Sequence, residues 1–352
     1  MHIAEGILPL EQALLWSVLA TPWVAWGLQE SRTVLNEGSA EQRALLALSG
    51  ALTFALTLFP LPVPVVGATS HLCATPVLGL LLGPSRVIFP TFLVLLVQAL
   101  FFAHGGLTTL GANTLTLGVL GPFSALGLLK LCRGLRLPRG LSVGLACGLA
   151  DVLVYSADAG MVGLALDNSR SWLQWAGVIL LGFAPVQLPL SVLEAGVSAA
   201  LIHTLEQRRE TLLPSYLRVP VGLGLLLGLI LTPFSPGEAF AQSLPELPAP
   251  TAAPSAEPSF LGIDETVLAA VASQGGRPAR APLIDLEETE LGRALLMLAC
   301  FLSGWVAHAA WRQLMRVPHA TTPASTAAEP AAAQRHSSNP PPEHLRSHAA
   351  EP

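Results

Sequence analysis

Charge is what this sequence has least of. Only 12% of its 352 residues are Asp, Glu, Lys or Arg, about half the share of a soluble domain, so a fold that must cover its whole surface with ionic groups is excluded. No basic stretch opens the chain, which begins MHIAEGILPL; the first residues are not expected to form a secretory leader. Cysteine is sparse too. Cys73, Cys132, Cys147 and Cys300 stand singly in or beside apolar runs, a spacing that fits small buried hydrophobes and excludes a cysteine-framed metal site. The Gly-x-x-x-x-Gly-Lys-Ser/Thr loop is absent, so the chain does not bind ATP in the usual way, and any pump it serves draws its energy from a partner ATPase.

What the chain has instead is apolar length. Hydrophobic residues make up 52% and the mean hydropathy is +0.58. A membrane helix needs about 20 apolar residues, and the sequence predicts an all-α membrane protein with spans near 11–28, 44–60, 65–83, 87–103, 108–131, 141–160 and 174–203, then a C-terminal pair near 218–235 and 292–311. Seven spans come first, then two. The run GLLLGLILTPFSPGEAFAQ imitates a cleavable signal but lies too deep in the chain and reads as the eighth span. The segment SLPELPAPTAAPSAEPS that follows it, and the tail over 317–352 with His336, His344 and His348, are too poor in aliphatics to pack and read as flexible.

Basic residues give the orientation, because cytoplasmic loops are enriched in Lys and Arg. With the N-terminus outside, the inward segments hold Arg32 and Arg43, Arg86, the cluster Lys130, Arg133, Arg136 and Arg139, then Arg208, Arg209 and Arg218, and finally Arg312 and Arg316. The outward segments hold only Arg170, Arg277, Arg280 and Arg293. Three outward stretches then share one face: Met1 and His2 at the chain start, His71 in PVPVVGATSHLCATPVLGLLLGP, and His104 with Asn113 in FFAHGGLTTLGANTL. Polar groups at the mouth of a membrane bundle are costly to bury and point to function. His2 has a special position. The Met1 amine, the deprotonated His2 amide and the His2 imidazole can chelate one ion through fused five- and six-membered rings, and His71 can fill the fourth planar position. Four coplanar nitrogens suit Ni(II) or Cu(II) better than tetrahedral Zn(II). Met1 is expected to survive processing, since histidine is a large second residue.

The motifs MHIAEGILP, GATSH leading into LGLLLGP, HGGLTTLGAN and PVQLPLSVLEAG resemble, in the same order over about residues 1–210, the CbiM/NikM family of cobalt and nickel substrate-binding membrane subunits of energy-coupling-factor (ECF) transporters. The resemblance implies an S-component fold with an extra N-terminal helix that dips in from outside, with Met1, His2 and His71 as ligands. Ni(II) or Co(II) is then a transported substrate and not a permanent cofactor. Implied partners are the transmembrane coupling (T) subunit, ABC ATPase subunits and the lipid bilayer of a bacterial inner membrane; no nucleic acid is expected. Residues 217–312, a helix pair around an outer Pro/Ala-rich loop of about 236–290, resemble the NikN/CbiN-type accessory segment, although PLIDLEETELGRALL only distantly echoes its Pro-Asp-Gly-Leu-Glu signature.

Other polar groups have supporting roles in this reading. Asn113, Ser70 and His104 are expected to orient the ligand histidines from behind, as the outer partners of metal-bound imidazoles do. Asp151, Gln98, Gln187 and Glu194 lie inside spans and are expected to pair with one another or cap helix breaks. Cys73, two residues past His71 on a presumed helix, would face away from it. Ala47, Ala51 and Ala55 recur every four residues in ALSGALTFA, a small-residue face that lets another membrane helix approach; in the resembled class such a face docks on the coupling subunit. A zinc-dependent membrane enzyme built on the three histidines is the alternative. It lacks the His-Glu-x-x-His ligand set.

Overall fold

In the computed structural model the described residues are 2–59, 61–63, 68–209, 213, 214, 217, 261–262, 267–281 and 289–315. Their helices are α1 (Leu10–Glu37), α2 (Ala40–Leu58), α3 (Thr75–Leu82), α4 (Pro84–Phe101), α5 (Leu110–Gly134), α6 (Arg139–Ala165), α7 (Trp172–Arg209), α8 (Ala269–Gln274) and α9 (Glu290–Met315). Five of these, α4, α5, α6, α7 and α9, are long and apolar enough to cross a membrane. The chain is an all-α multi-pass membrane protein. A small sheet accompanies the helices: β1 (Leu61–Val63) runs antiparallel to β2 (Ala68–Ser70), and β2 parallel to β3 (Leu261–Gly262).

Local sequence sets the breaks. Ser39 and Gln42 close a reciprocal capping box that starts α2, and Pro9 stands just before α1. Gly83 at φ +95 turns the chain from α3 into α4. Within α5, residues Thr114–Leu120 widen into π-helical turns, a feature often found next to functional sites. Gly111 at the start of α5 lies so close to Ser17 of α1 that an added Cβ would come within 2.4 Å of its Cα, so these two helices meet backbone to backbone.

The third predicted span is corrected. Residues 65–83 do not form one membrane helix: 68–70 are extended and α3 has eight residues, about 12 Å at 1.5 Å per residue, against a hydrocarbon layer of about 30 Å. His71 and Cys73 therefore lie on non-helical chain, and the helical argument for their facing apart does not hold. The apolar run misled because His71, Leu72, Cys73 and Ala74 are all buried without being helical. Ala74 adopts φ +60, uncommon outside glycine. Glu194 of α7 holds this turn, accepting from the Cys73 and Ala74 backbone N–H groups at 2.8 and 3.0 Å.

The second half of the predicted C-terminal pair is α9; the first, near 218–235, lies outside the described residues, as do Met1 and the tail. Two apolar cores fill the bundle. One joins the N-terminal residues Ile3 and Ile7 to α6, α7 and Leu268, Val271 and Ala272 beside and within α8. The other joins α2, α3, α5 and α6 to Ala310 and Leu314 of α9.

Candidate metal centre

The opening residues form a hook held by named contacts. Ile3 and Ile7 are fully buried and anchor it by apolar burial, each contributing about 1.5–3 kcal/mol. Between them Glu5 accepts from the Thr108 backbone N–H at 3.1 Å and from the Thr108 hydroxyl at 2.6 Å. Gly6 turns the chain at φ +82, and Pro9 hands it to α1. Asn113 grips the hook by its backbone: its Oδ1 accepts from Ile3 N–H at 2.9 Å, and its Nδ2 donates to Ile3 O at 3.2 Å. Thr109 Oγ1 also donates to Ile3 O, at 2.5 Å.

These contacts bring three imidazoles together. His2 Nδ1 lies 3.1 Å from His71 Nε2. The His104 ring centre is 4.3 Å from that of His2 and 5.6 Å from that of His71, and one nitrogen from each of the three rings falls within 4.8 Å of the others. His2 and His71 are 2% and 4% exposed. Burial, followed by neighbouring positive charge, holds the His2 imidazole well below its usual range and that of His104 down to about 4. Both are neutral near pH 7, with lone pairs available to an ion.

The predicted supporting residues divide. Asn113 acts on His2 through the Ile3 backbone and touches no imidazole in its hydrogen bonds. Ser70, adjoining His71, hydrogen-bonds the Tyr155 hydroxyl and Gln187 Oε1, each at 3.0 Å, and so ties β2 to α6 and α7. His104 joins the cluster itself. Gln187 and Asp151 pair as expected, Gln187 Nε2 donating to Asp151 Oδ2 at 2.8 Å with Ser191 donating to the same oxygen, whereas Gln98 lies apart from them and its Nε2 donates to Thr57 Oγ1 at 2.8 Å. Cys73 belongs to this second set. Its thiol donates to Asp151 Oδ1 at 2.9 Å.

Three features were not read from sequence. Glu5 and Thr109 shape the hook, and the His-Ile-x-Glu spacing was the signal that could have shown Glu5. A segment far along the chain also reaches the site: the Arg280 backbone N–H donates to Glu5 O at 2.8 Å, and β3 pairs alongside β2, the strand that leads to His71. Of the alanine face, Ala47 is exposed, Ala55 half-buried and Ala51 buried.

Comparison with known proteins gives the family. The CbiM family model, described as the cobalt uptake substrate-specific transmembrane region, matches residues 2–212. The chain is 34% identical over 326 residues to the cobalt transport protein CbiM of Geobacter sulfurreducens, covering 90% of each. It is 40% identical over 210 residues to cobalt transport protein CbiM 1 of Pelobacter propionicus, covering 58% of this chain and 90% of that one. A crystal structure of a truncated transition metal transporter shares the fold, with a TM-score of 0.50 at 24% identity over 59% of this chain and 99% of that one. The chain belongs to the CbiM family and is a membrane transport subunit rather than an enzyme.

Proposed function

We propose that the chain is the substrate-capturing permease subunit of an ECF-type importer, binding Ni(II) or Co(II) at the outer face through Met1, His2 and His71 for ATP-driven uptake. The observation that carries this reading is the approach of His2 Nδ1 to His71 Nε2 at 3.1 Å on a buried hook at the chain start. Two nitrogens bound at right angles to one ion at about 2.05 Å stand about 2.9 Å apart, so the pair needs little movement to share an ion. Nδ1 is also the His2 atom that closes a six-membered ring with its own amide nitrogen. Planar nitrogen donors lean toward nickel, whereas the names of the relatives point to cobalt.

The remaining parts of the reading follow from the family and the sequence. With no nucleotide loop of its own, the chain requires a T subunit and an ABC ATPase, and exposed Ala47 is the docking end of the small-residue face. The basic residues support an N-terminus outside a bacterial inner membrane. The non-helical chain 68–74 and α3 together make the third of seven crossings, with α1 the extra N-terminal helix. Residues 217–312 act as a NikN/CbiN-like segment; the Arg280 bond to the hook and the 326-residue match support their working with the site.

Purified full-length chain titrated with Ni(II) and Co(II), then assembled with its T subunit and ATPase in vesicles, tests the proposal. Stoichiometric binding and metal-stimulated ATP hydrolysis are expected. Absence of binding to either metal would overturn it.

A further inference from the structure

The capture reading uses two of the three converging imidazoles and leaves the third without a task. His104 sits on a segment whose backbone is specially shaped: Ala103 has φ +50 and Gly105 φ +84, and the His104 N–H donates to Gln98 O. Strained backbone of this kind gathers at ligand clamps. The ring is fixed as well as placed. The Thr57 backbone lies within hydrogen-bonding reach of the ring, and Nε2 is buried with no hydrogen-bond partner among the described residues, so Nε2 is the nitrogen left for an ion. His71 has the same arrangement, with Nδ1 3.3 Å from Leu72 O and Nε2 turned to His2. A metal-bound histidine ordinarily shows this pattern, one ring nitrogen on a backbone carbonyl and the other on the ion. An orphaned nitrogen in a buried polar cluster calls for a partner.

We propose that His104 is a direct metal ligand through Nε2, adding a fifth nitrogen off the plane formed by the chain end and His71, and that it tunes the site between nickel and cobalt. The inference rests on the capture reading of the same site. Its geometry follows from counting: the amine, the amide, His2 Nδ1 and His71 Nε2 fill a plane, so a further nitrogen approaches along its axis. A donor there raises the energy of the axial d orbital. In planar d8 Ni(II) that orbital holds two electrons and resists the donor, whereas Co(II) readily takes five or six ligands. His104 therefore favours cobalt over planar nickel, and its loss costs cobalt more.

The test uses the full-length protein, wild type beside His104→Phe and His104→Gln, titrated with each metal against a competing chelator, with X-ray absorption at the cobalt edge to count imidazole rings. Three rings are expected in the wild type and two in the variants. Cobalt affinity should fall ~100-fold and nickel affinity less than ~10-fold. Two rings in a metal-loaded wild type, or equal losses for both metals, would overturn this inference and leave the capture reading standing. A wild type that binds neither metal would overturn both. The wild-type ring count decides even if neither variant folds.

Discussion

Replacing Asn113 by leucine removes the polar grip on the hook while nearly conserving volume. The wild-type side chain makes two bonds to Ile3, and they differ in what their loss leaves behind. Ile3 O keeps the Thr109 hydroxyl, so the lost Nδ2 bond costs only about 1 kcal/mol, whereas Ile3 N–H is left buried without an acceptor at about 1–3 kcal/mol. The total is about 2–4 kcal/mol against the docked hook, or a factor of ~30–700 at 1.4 kcal/mol per decade. Ile3 and Ile7 still anchor the hook apolarly, so the chain folds, but the competent arrangement is populated less and the apparent dissociation constant rises in proportion. Metal titration of Asn113→Leu should show weaker binding, by up to that factor of ~30–700, with hydrogen exchange faster in residues 3–8. Asn113→Asp keeps an acceptor for Ile3 N–H and should recover part of the loss. Wild-type affinity in Asn113→Leu would refute the idea that docking of the hook through Asn113 builds the site.

Other changes probe the same chain of reasoning. His2→Gln removes the imidazole that closes the six-membered chelate ring while keeping a large second residue, and cellular uptake should fall to background at normal membrane expression; unchanged uptake would remove the His2 imidazole from the ligand set. His71→Ala takes away the nitrogen 3.1 Å from His2 Nδ1 and should weaken binding by orders of magnitude, with a modest drop in melting temperature because the side chain is buried. In a chain freed of its native cysteines, a membrane-impermeant thiol reagent applied from outside should label Pro250→Cys and spare Arg136→Cys; reversed labelling would put Met1 in the cytoplasm. The His2 and His104 pKa values are lowered on folding, so their contribution is complete above about pH 6.5 and is lost as pH falls. The metal-free protein should therefore melt at lower temperature at pH 5 than at pH 7, and a flat profile would contradict the burial of these rings.

Helix positions were legible where apolar runs and breakers coincide. Ser39 and Gln42 announce α2, Pro84 opens α4 and Pro138 precedes α6, all within a few residues of the spans read from hydropathy. The failure at 65–83 has a physical cause. Hydropathy records whether a segment is buried, and His71–Ala74 are buried as non-helical chain in which the Cys73 and Ala74 N–H groups are met by a carboxylate about 120 residues away. A local window cannot contain Glu194. The same limit applies to residues 267–281, which lie in a stretch read as a loop and pack Leu268, Val271 and Ala272 fully out of solvent against the core of α6 and α7.

At the site, the residue types were legible and their division of labour was not. His2, His71, His104 and Asn113 could be assembled from sequence because three separate segments pointed to one face. What each does depends on which of its atoms meets a neighbour. Asn113 was expected behind an imidazole, yet a side-chain amide offers one donor and one acceptor edge, and both edges of Asn113 are spent on the Ile3 peptide. It therefore positions the hook through the Ile3 backbone, next to His2. His104 was expected in a similar supporting role, and its ring centre stands 4.3 Å from that of His2 with Nε2 buried and unbonded among the described residues, a position that suits a ligand as well as an orienting group. Which of the two it fills depends on which ring nitrogen carries the proton, a difference that no sequence spacing encodes.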